Sequence, residues 1–308
     1  MKQPSLFGTP EYEITKPIRL IELFGGVGSQ AMGLRDIDAK FEHYRLIEFD
    51  PYPVKSYNEI HGTNFEPTDI RNVHGCDLGI ENVEDFTYLL TYSFPCQDLS
   101  VAGRQKGMTK GSGTRSGLLW EVERLLNETE NLPQVLLMEN VPQVLANKNI
   151  EDFKSWAQFL ASKGYSNFYK VLNAKDYGIP QNRERCYMVS LLGDYDYEFP
   201  EPIPLDKKIV DFLEEEVDEK YYLKSDKAKK LIEQLVQKGV LESDRQMQTA
   251  FVQDMTVGLA TGVHLETWSL KNQGNEIGKR IETATTILAR DYKGFGNQEM
   301  TGVIEWKQ

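Results

Sequence analysis

The sequence predicts an α/β fold, a doubly wound and mostly parallel sheet followed by a smaller carboxyl-terminal domain. Short apolar runs rich in β-branched and aromatic residues alternate with helical segments up to about residue 200. The first of these runs breaks into a glycine turn before a helix, an order typical of doubly wound α/β folds. After residue 199 a proline-rich hinge leads into an acidic stretch, which predicts a domain boundary there.

The individual elements follow in chain order. Strands are predicted at 17–24, 44–49, 87–93, 135–139, 168–173 and 186–192, and helices at 30–36, 117–130, 150–163 and near 228–238. A weaker strand is predicted just before Asp69. The region 246–308 is rich in glycine and threonine, with short β-like pieces.

Composition limits the function classes. The chain has 308 residues and is 40% hydrophobic, which is enough for a large core without cross-links. It has no apolar run of bilayer length and no signal-peptide pattern, so we expect a cytoplasmic protein without a membrane partner. Three scattered cysteines favour neither disulfides nor a metal site. A net charge of −12 requires that any nucleic-acid contact use locally concentrated basic residues.

The turn Phe24-Gly25-Gly26-Val27-Gly28 follows the first predicted strand. Glycines let a backbone pass close to a ligand, although a tight structural turn has the same pattern, and Ala31 replaces the third glycine of the dinucleotide fingerprint. Glu48, at the end of the next strand, suits a ribose diol. Asp69 would accept from an adenine amine while Ile70 packs on the ring; alone, Asp69 is more typical of a helix N-cap. Together these residues indicate an adenosine-containing ligand.

Cys96 lies just past an apolar strand, behind Pro95, at the carboxyl edge of the predicted sheet. This position favours a nucleophile over a core cysteine. The following residues 101–116 hold four glycines, no acidic residue and four basic ones: Arg104, Lys106, Lys110 and Arg115. Such a loop can close over a polyanion, and the alternative is a mobile surface loop.

Glu139 ends another apolar strand at the same edge. Semi-buried there, it can carry a proton at neutral pH, or it is a satisfied structural glutamate. Strand alternation predicts that Arg183 and Arg185 point the same way. Their guanidinium groups would hold a base carbonyl and a phosphate, or pair with Glu139.

The ordered set of motifs resembles the DNA (cytosine-5)-methyltransferases of prokaryotic or phage type, over roughly residues 17–192. The matching motifs are Phe24-Gly-Gly-Val-Gly28, Glu48, Asp69-Ile70, Phe94-Pro-Cys-Gln97, Glu139-Asn-Val141 and Gln181-Asn-Arg-Glu-Arg185. Phe94 replaces a proline common in the family. The resemblance implies methyl transfer from S-adenosyl-L-methionine to C5 of a flipped cytosine in a specific duplex DNA sequence, through a covalent bond between Cys96 and C6.

The resemblance also implies roles for single residues. Cys96, Glu139, Arg183 and Arg185 would surround the target base, with Glu139 on N3 and the exocyclic amine and Arg185 on O2. The residues implied to contact the cofactor are Phe24, Gly25, Gly26, Gly28, Glu48, Asp69, Ile70, Pro95 and Leu119. No metal ligand is implied.

The domains expected from the resemblance are an N-terminal extension (1–16), a catalytic domain (17–199), a linker with a helical segment (200–245) and a partial target-recognition domain (246–308). Family members usually continue further, whereas eleven residues follow Asn297 here. We therefore expect a complementing C-terminal polypeptide, a truncated product, or a subgroup that lacks this part.

The expected substrate is duplex DNA, and whether a cognate restriction endonuclease accompanies the chain stays open. Two further functions are compatible with the residues. One is a subunit that binds cofactor or DNA but is inactive without its complement. The second is a tRNA cytosine-5 methyltransferase, which the same fold supports.

Overall fold

The computed structural model describes residues 10–96, 98–99 and 107–212, single positions at 233 and 237, and short strands between 247 and 306. The chain forms two compact units. The first unit comprises residues 1–172 and 184–200, and the second comprises 173–183 and 201–308. The segment 173–183, which the sequence assigned to the domain 17–199, therefore belongs to the second unit.

The secondary structure consists of strands and helices with these bounds. The strands are β1 (Ile18–Leu23), β2 (Phe41–Ile47), β3 (Thr87–Tyr92), β4 (Val135–Asn140), β5 (Tyr165–Asn173), β6 (Gln181–Asn182), β7 (Glu184–Leu192), β8 (Met247–Ala250), β9 (His264–Leu270), β10 (Lys279–Arg280), β11 (Ala284–Thr285) and β12 (Met300–Trp306). The helices are α1 (Ser29–Asp36), α2 (Pro51–His61), α3 (Leu119–Glu128) and α4 (Ile150–Ser162).

The first unit is built on a six-stranded sheet in the order β2-β1-β3-β4-β7-β5. Strands β2, β1, β3 and β4 are parallel to one another, and β7 is antiparallel to β4. All six residues of β3 are buried, as expected for a central parallel strand covered on both faces. The predicted α/β class with a mostly parallel sheet is confirmed.

Apolar residues of β1 supply cores on both sides of the sheet. Ile21 and Leu23 belong to the larger cluster, with Phe153 and Trp156 of α4, while Leu20 belongs to a separate cluster. Alternate residues of a strand point to opposite faces, so one apolar strand can serve both cores. This two-sided burial explains why β1 reads as a nearly continuous apolar run.

The weak strand predicted before Asp69 is wrong. Residues 63–68 have no strand, and their backbone is held instead by α2. The Asn58 side-chain oxygen accepts from the Phe65 N–H at 2.9 Å and from the Thr63 hydroxyl at 2.8 Å. A segment whose polar groups are satisfied by a helix side chain does not need a neighbouring strand.

The described part of the second unit contains two small sheets. Strands β10, β9, β12 and β8 form a sheet in that order, and β11 pairs with β6 in parallel. The strand alternation expected from Arg183 to Arg185 is interrupted, because Arg183 lies between β6 and β7. The Arg183 N–H donates to Asn173 Oδ1 at 3.0 Å, and its carbonyl accepts from the Ala174 N–H at 3.0 Å. The helix predicted near residues 228–238 lies outside the described residues, apart from single positions.

The described residues contain neither a candidate membrane-spanning helix nor a candidate metal-binding cluster. None of the helices in that part of the chain combines the length and apolar character needed to cross a membrane. Within the same residues, histidines, cysteines and carboxylates do not form a group that could hold a metal ion.

Candidate active site

The glycine turn connects β1 to α1 with unusual backbone geometry. Phe24, Gly26 and Gly28 have φ values of 57°, 55° and 85°. The Phe24 N–H donates to the Ile47 carbonyl at 2.7 Å, which fixes the turn to the end of β2. Left-handed conformations are strained for residues with a Cβ, so Gly26 and Gly28 avoid a strain that Phe24 bears.

The three glycines of the turn are required for different reasons. A Cβ on Gly25 would lie 2.5 Å from Leu46 Cδ1, and one on Gly28 would lie 2.4 Å from His61 Nε2. A Cβ on Gly26 would meet nothing within 4 Å. The protein's own packing therefore excludes a side chain at Gly25 and Gly28, whereas Gly26 has an open side that a ligand can approach.

Glu48 is bound to the same turn. Its Oε2 accepts from the Gly26 N–H at 3.1 Å, and its Oε1 accepts from the Asp50 N–H at 2.9 Å. Each carboxylate oxygen has a second lone pair for another donor. Phe49, which the sequence analysis missed, follows directly and is 69% exposed. An aromatic residue immediately after a strand-end carboxylate was the signal that could have identified it.

Asp69 has the N-cap role that the sequence analysis gave as the alternative to an adenine contact. It caps a short 3₁₀ helix, Ile70–Asn72, by accepting from the Arg71 N–H at 3.0 Å. The Arg71 guanidinium also donates to both carboxylate oxygens, and this hydrogen bonding lowers the pKa of Asp69. Ile70 is 3% exposed. An adenine amine would have to share Asp69 with Arg71.

The backbone around Cys96 is pinned from three directions. The carbonyls of residues 94, 95 and 96 accept from Asn140 Nδ2 at 2.9 Å, Ser116 Oγ at 2.6 Å and the Leu99 N–H at 3.0 Å. Asn140 and Ser116 are buried, and the sequence analysis assigned a role to neither residue. Asn140 is the last residue of β4, and its position directly after the predicted strand 135–139 is the signal that could have identified it. These bonds hold Cys96, which is partly buried, just beyond β3.

The base of the basic loop is tied together by Asp98. Its carbonyl accepts from the Gly107 N–H at 3.0 Å, and its Oδ2 accepts from the Arg115 N–H at 2.8 Å. Asp98 is 7% exposed. The loop is thus closed at its base next to Cys96. Gln97, Arg104 and Lys106 lie outside the described residues.

Lys110 does not fit the expected role of a cation directed at a polyanion. Its ammonium lies 2.7 Å from Glu123 Oε2 of α3, and it also sits 5.2 Å from the Trp120 ring centroid. Trp120 Nε1 donates to the Met108 carbonyl at 2.7 Å. The described end of the loop is therefore anchored on α3, and Glu123 offsets the Lys110 charge.

Glu139 and Arg185 meet across two adjacent strands. Because β7 is antiparallel to β4, the start of β7 lies at the carboxyl end of β4, where Glu139 is aligned with Tyr187. Arg185 Nε lies 2.9 Å from Glu139 Oε1, and the two side chains are 14% and 21% exposed. Of the arrangements that the sequence left open for the arginines, the structure has the ion pair for Arg185. Arg183 belongs to the second unit.

The remaining predicted cofactor contacts differ in accessibility. Pro95 and Phe24 are partly buried, whereas Leu119, the first residue of α3, is fully buried in the larger core cluster. The sheet edge thus brings together the glycine turn with Glu48, and Cys96 with the Glu139–Arg185 pair. Leu119 contributes through packing in this structure.

Glu22 is a buried acid beneath the glycine turn. It is 0% exposed, and its Oε2 accepts from the Tyr57 hydroxyl at 2.5 Å. His43 Nδ1 lies 2.7 Å from the same hydroxyl. Burial raises the pKa of Glu22 to about 7 and lowers the pKa of His43. These three residues are called the Glu22 network below.

The raised pKa of Glu22 predicts a pH-dependent stability. Between 4.5 and about 7 the folded protein keeps a proton that the unfolded chain releases, so stability falls as the pH rises through this range. We expect the free energy of unfolding to fall by about 3 kcal/mol more in the wild type than in Glu22→Gln between pH 4.5 and 7.5. Urea denaturation of both proteins measures this difference, and parallel pH profiles would contradict it.

The fold and the site define a class of protein. A mostly parallel sheet whose first strand leads into a glycine turn is the Rossmann-like architecture of S-adenosyl-L-methionine-dependent methyltransferases. The fold is similar to the crystal structure of S. pombe Dnmt2 methyltransferase, with a TM-score of 0.54, 23% identity, and coverage of 72% of this chain and 65% of that one. It is also similar to Entamoeba histolytica methyltransferase EhMeth, with a TM-score of 0.55, 22% identity, and coverage of 74% and 67%.

The sequence then defines the family. The profile of the C-5 cytosine-specific DNA methylases matches residues 18–298, and this chain belongs to that family. It is 44% identical over 146 residues to Type II methyltransferase M2.ScrFI of Lactococcus lactis subsp. cremoris, and 49% identical over 154 residues to orphan methyltransferase M.SssI of Spiroplasma monobiae. These matches cover 47% and 49% of this chain but 40% and 38% of the relatives, so the chain spans about two-fifths of their length. The predicted family is confirmed, and its members generally use S-adenosyl-L-methionine.

Proposed function

We propose that this chain carries the catalytic machinery of a DNA (cytosine-5)-methyltransferase, which transfers a methyl group from S-adenosyl-L-methionine to C5 of cytosine in duplex DNA. The observation that carries the proposal is the pinned Cys96 turn after β3 beside the Glu139–Arg185 pair at the end of β4. A nucleophile and a hydrogen-bonding pair at adjacent strand ends suit attack on a pyrimidine whose charge must be stabilised. We assign residues 17–199 to catalysis, 200–245 to a linker and 246–308 to target recognition.

The residues of the glycine turn fit the proposed cofactor. The open side of Gly26 provides the close backbone approach, and Glu48 has lone pairs left for ribose hydroxyls. Phe49 offers an exposed aromatic face for the adenine. When bound, the cofactor supplies an activated methyl group on a sulfonium. For Asp69 to accept from the adenine amine, its carboxylate would have to bind the adenine and Arg71 together.

The protein's part in the reaction follows from the chemistry of cytosine. The Cys96 thiolate adds to C6, which forms an S–C6 bond and makes C5 nucleophilic enough to accept the methyl group. Glu139 forms hydrogen bonds with N3 and the exocyclic amine of the cytosine, and Arg185 donates to its O2. These contacts stabilise the negative charge that develops on the ring when the thiolate adds. A base then removes the C5 proton, and the S–C6 bond breaks to release Cys96. The base must be flipped out of the duplex for this contact.

The direct test is transfer of a labelled methyl group from S-adenosyl-L-methionine to unmethylated duplex DNA, with tRNA in a parallel reaction. The chain is assayed alone and together with any protein encoded directly downstream. Transfer to DNA supports the proposal. Transfer to tRNA in preference to DNA would show that RNA is the substrate. An absence of transfer in every reaction would contradict the proposed methyltransferase activity.

Glycine substitutions in the turn separate ligand binding from folding. We expect Gly26→Ala to fold, at a strain cost of about 1 kcal/mol for the left-handed conformation, and to bind S-adenosyl-L-methionine at least about tenfold more weakly because its Cβ fills the open side. Gly28→Ala serves as the contrast, since its Cβ would collide with His61 and Tyr57 and lower stability. Calorimetry measures both effects. Unchanged affinity in Gly26→Ala would exclude the turn as the binding surface.

A further inference from the structure

The Glu22 network plays no part in the reaction described above, yet it lies directly against the glycine turn. Glu22 Cβ is 3.0 Å from the position where a side chain on Gly25 would begin. The carboxylate is fully buried, and its Oε1 has no hydrogen-bond partner. A buried carboxylate that is incompletely satisfied costs stability, so its position calls for a functional explanation.

Glu22 connects three elements that shape the turn. It belongs to β1, it binds α2 through the Tyr57 hydroxyl, and the backbone amide of Ala31 in α1 stabilises its ionised form. The N-cap of α1 is Gly28, which has no side chain to cap the helix. A carboxylate near the first turn of a helix complements the helix dipole, so ionised Glu22 supplies part of what that cap lacks.

The Tyr57 ring transmits this arrangement to the turn itself. A Cβ on Gly28 would lie 2.6 Å from Tyr57 Cε2, so the ring packs immediately under the last residue of the turn. On the same helix, His61 Nε2 lies 3.1 Å from the Val27 carbonyl. Moving Tyr57 would therefore move the surface on which residues 27–28 rest.

We propose that Glu22 is a positioning residue of the cofactor site, which holds the glycine turn through Tyr57 and α1 and whose negative charge favours the cationic sulfonium cofactor over its neutral thioether product. The inference rests on the proposed function. S-adenosyl-L-methionine carries a positive sulfonium, whereas S-adenosyl-L-homocysteine does not. A cation bound at the turn stabilises ionised Glu22, and by linkage ionised Glu22 strengthens binding of that cation.

The surroundings of Glu22 determine which group is expected to titrate. The titratable or charged groups near it and its partners are Tyr57 and His61 on α2, His43 on β2, Arg35 on α1, and Glu48 on the far side of the turn. Burial raises the pKa of Tyr57 well above the ordinary value for a tyrosine, so its hydroxyl stays protonated, and burial lowers the pKa of His43. The pKa of Glu22 is raised to about 7, so its charge changes within the range where binding can be measured.

The experiment measures dissociation constants of both ligands by calorimetry between about pH 5.5 and 8.5. For the wild type we expect affinity for S-adenosyl-L-methionine to rise about tenfold across this range, the ratio for a one-unit difference in Glu22 pKa between free and bound protein. Affinity for S-adenosyl-L-homocysteine should change much less. In Glu22→Gln the profile for the sulfonium should be flat, while the matched control Glu59→Gln, at an exposed position on α2, should behave as the wild type.

A second variant covers the case in which Glu22→Gln does not fold. Tyr57→Phe keeps the ring under Gly28 and removes the hydroxyl that stabilises ionised Glu22, so the midpoint of the pH profile should move upward. Tyr52→Phe is the control, because Tyr52 lies on the same helix and is 80% exposed. An unchanged midpoint in Tyr57→Phe would overturn the inference.

The remaining outcomes separate this inference from the proposed function. A pH profile in folded Glu22→Gln equal to that of the wild type, or one abolished instead by His61→Asn, would overturn the role of Glu22 and leave the enzyme intact. Equal pH dependence for the sulfonium and the thioether would overturn the charge effect. A wild type that binds neither ligand at any pH would overturn the proposed function and the inference with it.

Discussion

Replacing Cys96 by alanine is expected to abolish methyl transfer, with a fall in turnover of at least roughly 10³-fold. In the proposed mechanism the Cys96 thiolate makes C5 nucleophilic by forming the bond to C6, and alanine has no group that can form this bond. Folding and cofactor affinity should change little, since the Cys96 backbone is held by bonds to the carbonyls of residues 94–96 rather than by its side chain.

The covalent bond itself is the sharper readout. Duplex DNA with 5-fluorocytosine at target sites should trap the wild type, in the presence of S-adenosyl-L-methionine, as a complex that survives denaturing electrophoresis. Cys96→Ala should form none. Cys76→Ala is the matched control, because Cys76 is exposed and should trap normally. A trapped complex in Cys96→Ala, or retained turnover, would remove Cys96 from the mechanism.

The central strands could be predicted because both their faces are buried. The strand predicted at 135–139 became Val135–Asn140, and the one at 87–93 became Thr87–Tyr92. The bounds predicted for edge strands were less accurate. Strand β2 was predicted at 44–49 but begins at Phe41, because pairing with β1 extends it through polar residues that carry no apolar pattern.

Helix α2 was not identified in the sequence, although its ends carry standard signals. Asp50 caps its first turn, Pro51 occupies the first helical position, and Gly62 ends it in a left-handed conformation. Only Val54 and Tyr57 of this helix are buried, so apolar periodicity gave a weak signal. Missing α2 also concealed the Glu22 network, since Tyr57 is the residue that binds Glu22.

The sequence predicted which residues lie at the sheet edge, but not which of their side chains contact one another. Strand-end positions correctly placed Cys96 and Glu139 at one edge, because parallel strands end together. The pairing of Glu139 with Arg185 depends on β7 running antiparallel to β4, which alternating βα patterns do not reveal. The interaction of Lys110 with Glu123 likewise depends on how the loop packs against α3, and charge counting alone gave the opposite expectation.

Replacing Glu139 by glutamine is expected to lower kcat about 10²- to 10⁴-fold while affinity for S-adenosyl-L-methionine stays within about threefold. The side chain keeps its size but loses the charge that pairs with Arg185 at 2.9 Å and that, in the proposed mechanism, stabilises the pyrimidine N3 edge. The pair is mostly buried, but the substituted amide oxygen can still accept a hydrogen bond from Arg185, so the loss of stability should be smaller than for Glu139→Ala.

Two further variants decide whether the pair acts through chemistry or through folding. Arg185→Lys keeps the positive charge but loses the planar fork, so kcat should fall while the unfolding temperature changes little. Glu151→Gln removes a surface ion pair with Lys154 of the same chemical kind and should leave both kcat and stability unchanged. Rates are measured at saturating cofactor and DNA. If Glu139→Gln keeps kcat within threefold of the wild type, the pair is a structural contact, because a group that stabilises the reacting ring must affect the rate of its reaction.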